Sequence, residues 1–301
     1  MTRVSSVLAT LLAMSWSIGV HVQSPTFRSG TALVPILATV TDHSDHLVSG
    51  LTVEHFEVLD DGRPQAIALF ENDVKPITIV MMLDTSASMT AALDQVTAAA
   101  EQFVIRLLPH DRARLCVFND AVVLGPEFTS DRDALARGVR GVDYGNGTRL
   151  YDGLAVSLDA LKGIDGRKVI LVFTDGEDTA SKIGRRLVTK RARDEDVMMY
   201  AIGFESQFVD GDEVVHTRPD PARRKLAADT GGGYYEVQRS KDLSSTFTHV
   251  LMELHSQYLL AITPRLFDGR VHKLSVHVNH ADATVRARRS YLAPARSSRG
   301  S

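Results

Sequence analysis

Cysteine is almost absent: 301 residues contain one, Cys116. A lone thiol closes no internal disulfide and assembles no cysteine-based zinc site, so stability must come from packing. Set in Arg114-Leu115-Cys116-Val117-Phe118, it reads as a small core residue of a strand. An excess of one charge is lacking too. The 34 Lys+Arg and 37 Asp+Glu leave a formal net charge of −3, and nothing in that balance points to nucleic acid. Internal repeats and low-complexity tracts are missing. A chain that is 44% hydrophobic and 24% charged is neither disordered, collagen-like nor a multi-pass membrane protein. Its length is about two domains of roughly 150 residues each, or one larger α/β unit with an appendage.

Residues 1–24 read as a secretory signal peptide. Arg3 gives the positive start, Val4 to Val20 carries no charge, and the run is short for a bilayer span and rich in small residues. Cleavage is expected between Gly19 and Ser24, leaving no membrane span and removing the only tryptophan, Trp16. Export to the periplasm, cell surface or medium agrees with the cysteine count.

Three regions follow. Residues 31–74 show short strands and turns: Val34 to Val40, His55 to Leu59, the turn Asp60-Asp61-Gly62-Arg63-Pro64, then Ala66 to Phe70. Pro35 within its run suggests an edge strand. Over 77–254 strand and helix alternate. Ile77-Thr78-Ile79-Val80-Met81-Met82-Leu83 and Val169-Ile170-Leu171-Val172-Phe173 are apolar throughout, the mark of strands covered on both faces. Leu93, Val96, Ala100, Phe103 and Leu107 fall on one helical face, with Pro109 beyond. Arg114 to Phe118 and Val197 to Ile202 read as further strands, and Tyr234 to Val237 as an edge strand. Helices are expected over 150–164, 187–194, 222–228 and 242–254. This predicts an α/β fold: a doubly wound, mostly parallel sheet with helices on both faces. From 257 to 294 the strand period returns, and 295–301 reads as a disordered tail. Neither β segment suffices alone, so the two flanks are expected to pair into one small sandwich-like β-domain.

Chemistry gathers where apolar strands end. The first runs into Asp84-Thr85-Ser86-Ala87-Ser88 and the second into Thr174-Asp175-Gly176-Glu177-Asp178. Between them lies Gly145-Asn146-Gly147-Thr148-Arg149-Leu150. In open α/β sheets, ligands bind at the carboxyl ends of strands. Carboxylates and hydroxyls without imidazole or thiol suit Mg²⁺, Mn²⁺ or Ca²⁺ rather than zinc.

These motifs resemble the von Willebrand factor A domain and its metal-ion-dependent adhesion site. That family carries Asp-x-Ser-x-Ser after the first strand, a Thr in a later loop and an Asp ending the fourth strand. Asp84, Ser86, Ser88, Thr148 and Asp175 match all five positions, and the likeness spans roughly Ile77 to Leu254. The flanks, Leu51 to Gly62 and Arg286-Ala287-Arg288-Arg289-Ser290-Tyr291, resemble the exported bacterial group of VWFA-related domain proteins. The resemblance implies a Rossmann-like fold and a non-enzymatic protein-binding or adhesion module. It further implies that Ser86, Ser88 and Thr148 bind the cation, directly or through water, with Asp84 and Asp175 balancing charge beside it. A partner protein would then offer an Asp or Glu carboxylate to the ion.

Other features have plainer readings. Glu177 and Asp178 read as a solvated loop and Asp152 as a support for the following helix. Arg185, Arg186, Lys190, Arg191 and Arg193 read as a solvated helix face. Gly231-Gly232-Gly233 precedes a strand, so it is a tight turn rather than a phosphate cradle. His277 and His280 cannot share one side of a strand, so no metal site is expected among His272, His277 and His280. Two alternatives remain: a structural scaffold with a vestigial metal site, and an aspartic-type hydrolase built on Asp84-Thr85-Ser86. The hydrolase lacks a second such turn and an all-β setting.

Overall fold

The computed structural model describes residues 33–90, 92–175, 177–204, 207–210, 213–216, 221–237 and 242–295. The expected leader and the tail from Arg296 lie outside them. The chain opens with β1 (Val34–Asp42), β2 (Phe56–Asp60), β3 (Arg63–Gln65) and β4 (Ile67–Glu71). It continues through β5 (Ile77–Asp84), α1 (Leu93–Ile105), β6 (Arg112–Phe118), β7 (Val122–Leu124), α2 (Arg132–Arg140), α3 (Leu150–Leu161), β8 (Arg167–Thr174) and α4 (Arg185–Asp194). Then come β9 (Val197–Phe204), the hairpin strands β10 (Gln207–Asp210) and β11 (Glu213–His216), α5 (Pro221–Thr230), β12 (Tyr234–Val237) and α6 (Leu243–His255). The closing strands are β13 (Tyr258–Ile262), β14 (Val271–Val278), β15 (Ala283–Ala287) and β16 (Ser290–Leu292).

The central sheet has the order β12-β9-β8-β5-β6-β7. β12, β9, β8, β5 and β6 are parallel, and only β7 at the edge runs against its neighbour. Every residue of β5 and β9 is buried, as expected of apolar strands with helices on both faces. Alternation divides the strand between two cores. Ile79, Met81 and Leu83 join Phe103 of α1 and Phe247 of α6. Val80 and Met82 join Leu154 and Leu158 of α3 and Val188 of α4. From β5 the chain passes to β6 on one side and later to β8 on the other, so the topological switch point lies at the carboxyl ends of β5 and β8.

The flanks form two further antiparallel sheets, ordered β15-β1-β13-β4 and β16-β14-β2-β3. Val34, Ile36, Ala38 and Val40, spaced two apart on β1, share a core with Val58, Leu260, Leu274 and Tyr291. Both parts of the fold thus agree with the sequence expectation.

Three details differ from it. β1 is not an edge strand, since it lies between β13 and β15. Its first half, Val34 to Ala38, pairs with β13, whereas β15 joins only from Ala38 onward. Pro35, having no N–H to donate, sits in the half without a second partner. α2 has no counterpart in the expected pattern. The β10–β11 hairpin between β9 and α5 has none either.

A buried polar network fastens the β unit to the central one. Glu253 of α6, 1% exposed, accepts hydrogen bonds from Thr39 of β1 at 3.0 Å, from the hydroxyls of Tyr200 and Tyr235, and from Arg286 of β15. Gln257 donates to both Thr39 and Tyr200 at 3.1 Å. Burial alone would raise the Glu253 pKa, but Arg286 and the tyrosine hydroxyls hold it below its usual value.

Candidate metal centre

Asp84 is the last residue of β5 and is fully buried. Its Oδ1 accepts the N–H of Ser86 at 2.9 Å, a turn that swings the chain off the strand, and its Oδ2 accepts the Thr174 hydroxyl of β8 at 2.6 Å. Burial, helped by the nearby Asp175 charge, pushes the Asp84 carboxyl up to about 6, against the hydrogen bonds from Thr174 and Ser86. A short 3-10 turn, Ala87–Met89, follows. The Ser86 and Ser88 hydroxyl oxygens lie 3.2 Å apart. Ser88 donates to Asp175 Oδ1 at 2.8 Å, across 87 residues of sequence. Asp84, Ser86, Ser88 and Asp175 are therefore joined into one hydrogen-bonded group at the switch point, three of them almost wholly buried.

Thr148, also buried, sits in the adjoining loop, held from both sides. Its N–H donates to the Thr179 hydroxyl at 3.0 Å, while its carbonyl accepts the N–H groups of Thr179 and Ala180. At the start of the same loop, the Gly145 N–H donates to the Thr85 carbonyl at 3.0 Å. The three oxygen-bearing loops thus brace one another through their backbones.

Two residues at the end of β6 escaped the sequence reading. Asn119 donates to the Thr85 hydroxyl at 3.0 Å. Asp120 accepts the N–H groups of Asn146 and Gly147 at 2.6 and 2.7 Å, and those bonds hold its carboxyl below the usual range. A Cβ on Gly147 would come within 2.9 Å of Asp120 Oδ1, so a larger residue there would push the carboxylate away from these two N–H groups. The available signal was position: β6 ends beside β5 and carries Asn-Asp there.

The remaining residues behave as framework. Asp152 accepts from the N–H groups of Lys182 and Ile183 at 3.0 Å, pinning the stretch before α4 to α3. Asp178 is not merely solvated, since it accepts the Tyr151 N–H at 3.4 Å. In the basic cluster, Arg191 pairs with Asp159 and Glu195, Arg193 with Asp194, and Lys190 with Asp194, so it forms a laced helix face. Gly231 has φ +83°, and a Cβ on Gly232 would lie 2.0 Å from the Met199 carbonyl, which makes the triple glycine a tight turn packed on β9. Cys116 is buried, and burial pushes its thiol up to about 11.

The five candidate residues offer only hydroxyl and carboxylate oxygens. That donor set fits a hard divalent cation such as Mg²⁺, Mn²⁺ or Ca²⁺ and fits zinc poorly.

Residues 79–177 match the family model for the von Willebrand factor type A domain. Similar solved structures include a von Willebrand factor type A protein from Catenulispora acidiphila, 11% identical, covering 90% of this chain and 76% of that one with a TM-score of 0.52. An aerotolerance-related membrane protein from Bacteroides fragilis is 18% identical, covering 59% of this chain and 98% of that one, with a TM-score of 0.51. Proximal thread matrix protein 1 from the mussel byssus is 17% identical, covering 64% of this chain and 49% of that one, with a TM-score of 0.50. Identities this low show a shared fold. No curated protein matches the sequence.

Proposed function

We propose that the chain is an exported, non-enzymatic protein-binding or adhesion module. In this reading the central α/β unit holds Mg²⁺, or Mn²⁺ or Ca²⁺, at a metal-ion-dependent adhesion site. Ser86, Ser88 and Thr148 supply hydroxyl ligands, and Asp84 and Asp175 balance the charge nearby. The observation that carries it is the Ser88 to Asp175 contact at 2.8 Å, which draws the first and last motifs together at the switch point of the sheet. Bound through neutral hydroxyls, the cation keeps an electrophilic character and accepts an Asp or Glu carboxylate from a partner protein. The motif order and the match over 79–177 support the family assignment, and the uncharged run Val4 to Val20 behind Arg3 supports export. No helix among the described residues is long and apolar enough to cross a membrane.

One observation favours a scaffold with a vestigial site: Asp84 and Asp175 already accept hydrogen bonds from Thr174 and Ser88. An aspartic-type hydrolase is disfavoured by helices following both acidic motifs. The test is capture of partners from envelope extract in Mg²⁺, with EDTA and Asp84→Ala as controls. A metal-dependent module loses its partner in both controls. A scaffold gives the same result in all three arms.

A further inference from the structure

A separate cluster lies in the β unit. The hairpin between β2 and β3 turns on Asp61 and Gly62, both in the left-handed region at φ +48° and +77°, as a two-residue turn of this kind requires. Asp60 ends β2 and points into the interior, 3% exposed, while the Asp61 side chain remains 57% exposed. His272 of β14 is 4% exposed, and its Nδ1 faces both: 2.9 Å from Asp60 Oδ1 and 3.4 Å from Asp61 Oδ2. Asp60, Asp61 and His272 can each offer one ligand atom within 4.8 Å of the others'.

The other polar atom of each residue is already engaged. Tyr291 donates its hydroxyl to Asp60 Oδ2 at 3.1 Å. Lys273 donates its N–H to Asp61 Oδ1 at 2.9 Å. His272 Nε2 lies 3.2 Å from Asp268 Oδ1, which fixes the ring's orientation. Asp60 Oδ1, Asp61 Oδ2 and His272 Nδ1 are left converging. Outer partners that orient each ligand in this way, above all a carboxylate behind a histidine, are what metal sites use.

We propose that Asp60, Asp61 and His272 form a divalent transition-metal site in the β unit, distinct from the oxygen-only centre of the central sheet. For metal–ligand distances of about 2.0–2.2 Å, the edge of a coordination tetrahedron is about 3.3–3.6 Å. The 2.9 and 3.4 Å separations reach that edge with small side-chain adjustments. Two carboxylates with a neutral imidazole balance a double positive charge. The nitrogen ligand favours Zn²⁺-like ions over Mg²⁺ or Ca²⁺. Asp61, on the surface of the turn, gives the ion its route in from solvent, and the fourth position stays open to water.

The test is calorimetric titration of the full chain with Zn²⁺, comparing wild type, Asp61→Asn, His272→Gln and Asp84→Ala. Asn tolerates the φ of position 61, so that variant remains folded even if the buried histidine change does not. The expected result is one Zn²⁺ equivalent, weakened at least tenfold in Asp61→Asn and His272→Gln and unchanged in Asp84→Ala. No Zn²⁺ uptake, or uptake indifferent to Asp61→Asn, would overturn the proposal and leave a hydrogen-bonded His–Asp clamp. Loss in Asp84→Ala alone would overturn it too, placing the ion at the central sheet. Failure of Mg²⁺-dependent partner binding, by contrast, bears only on the oxygen-only centre.

Discussion

Asp111 shows what one buried carboxylate can organise. It accepts the N–H of Ile77 at the head of β5, the N–H of Leu108 and the imidazole Nε2 of His255 at the end of α6. Burial pushes its pKa up, but His255 and the two backbone donors outweigh that, so it lies below the usual carboxylate value. A carboxyl held lower in the folded state than in the unfolded one stabilises the fold above the unfolded value. That contribution disappears as pH falls below 3.8 toward the folded value. Asp111→Asn is therefore expected to cost about 2 kcal/mol at pH 7 and less at pH 3, measurable by urea unfolding at both. Asp84 behaves in the opposite sense, because burial disfavours its charge. Asp84→Ala is expected to leave the melting temperature unchanged or slightly raised, by scanning calorimetry, while abolishing metal-dependent binding.

At the scale of elements, legibility followed burial. β5, β8 and β9 stood out in the sequence because covering both faces demands an unbroken apolar run. β6 was legible as a strand but not at its end: only Ala113, Cys116 and Phe118 are buried and it carries Arg112 and Arg114, so Asn119 and Asp120 drew no attention. α2 was missed because it buries only Leu135, Ala136 and Val139 amid arginines and a glycine. Its signal was the N-cap, where Asp131 accepts the Ala134 N–H at 2.9 Å. Asp84, Ser86, Ser88 and Asp175 were legible because each follows an apolar strand. The Asp60–Asp61–His272 cluster was not, because its histidine lies more than two hundred residues from its aspartates and strand pairing alone unites them. Asp120 leads to a prediction at this scale. Without its carboxylate the Asn146 and Gly147 N–H groups lose their acceptor and the Thr148 loop loosens. Asp120→Ala is expected to weaken Mg²⁺ binding by about tenfold, read by titration calorimetry, with little change in stability.

For the whole molecule, the fastening point is Glu253. Thr39, Tyr200, Tyr235 and Arg286 come from four strands in two sheets and share one buried carboxylate. Glu253→Ala leaves a half-buried guanidinium and two tyrosine hydroxyls without that acceptor, and is expected to cost about 3 kcal/mol in urea unfolding. It is also expected to separate the unfolding of the β unit from that of the central unit, seen as two transitions where the wild type shows one. Titration calorimetry with Mg²⁺ tests the central claim most directly, comparing the full chain with Asp84→Ala and Asp61→Asn. The account predicts one Mg²⁺ equivalent in wild type and in Asp61→Asn and none in Asp84→Ala. A wild-type chain that takes up no Mg²⁺, or an Asp84→Ala chain that binds it equally well, would contradict it.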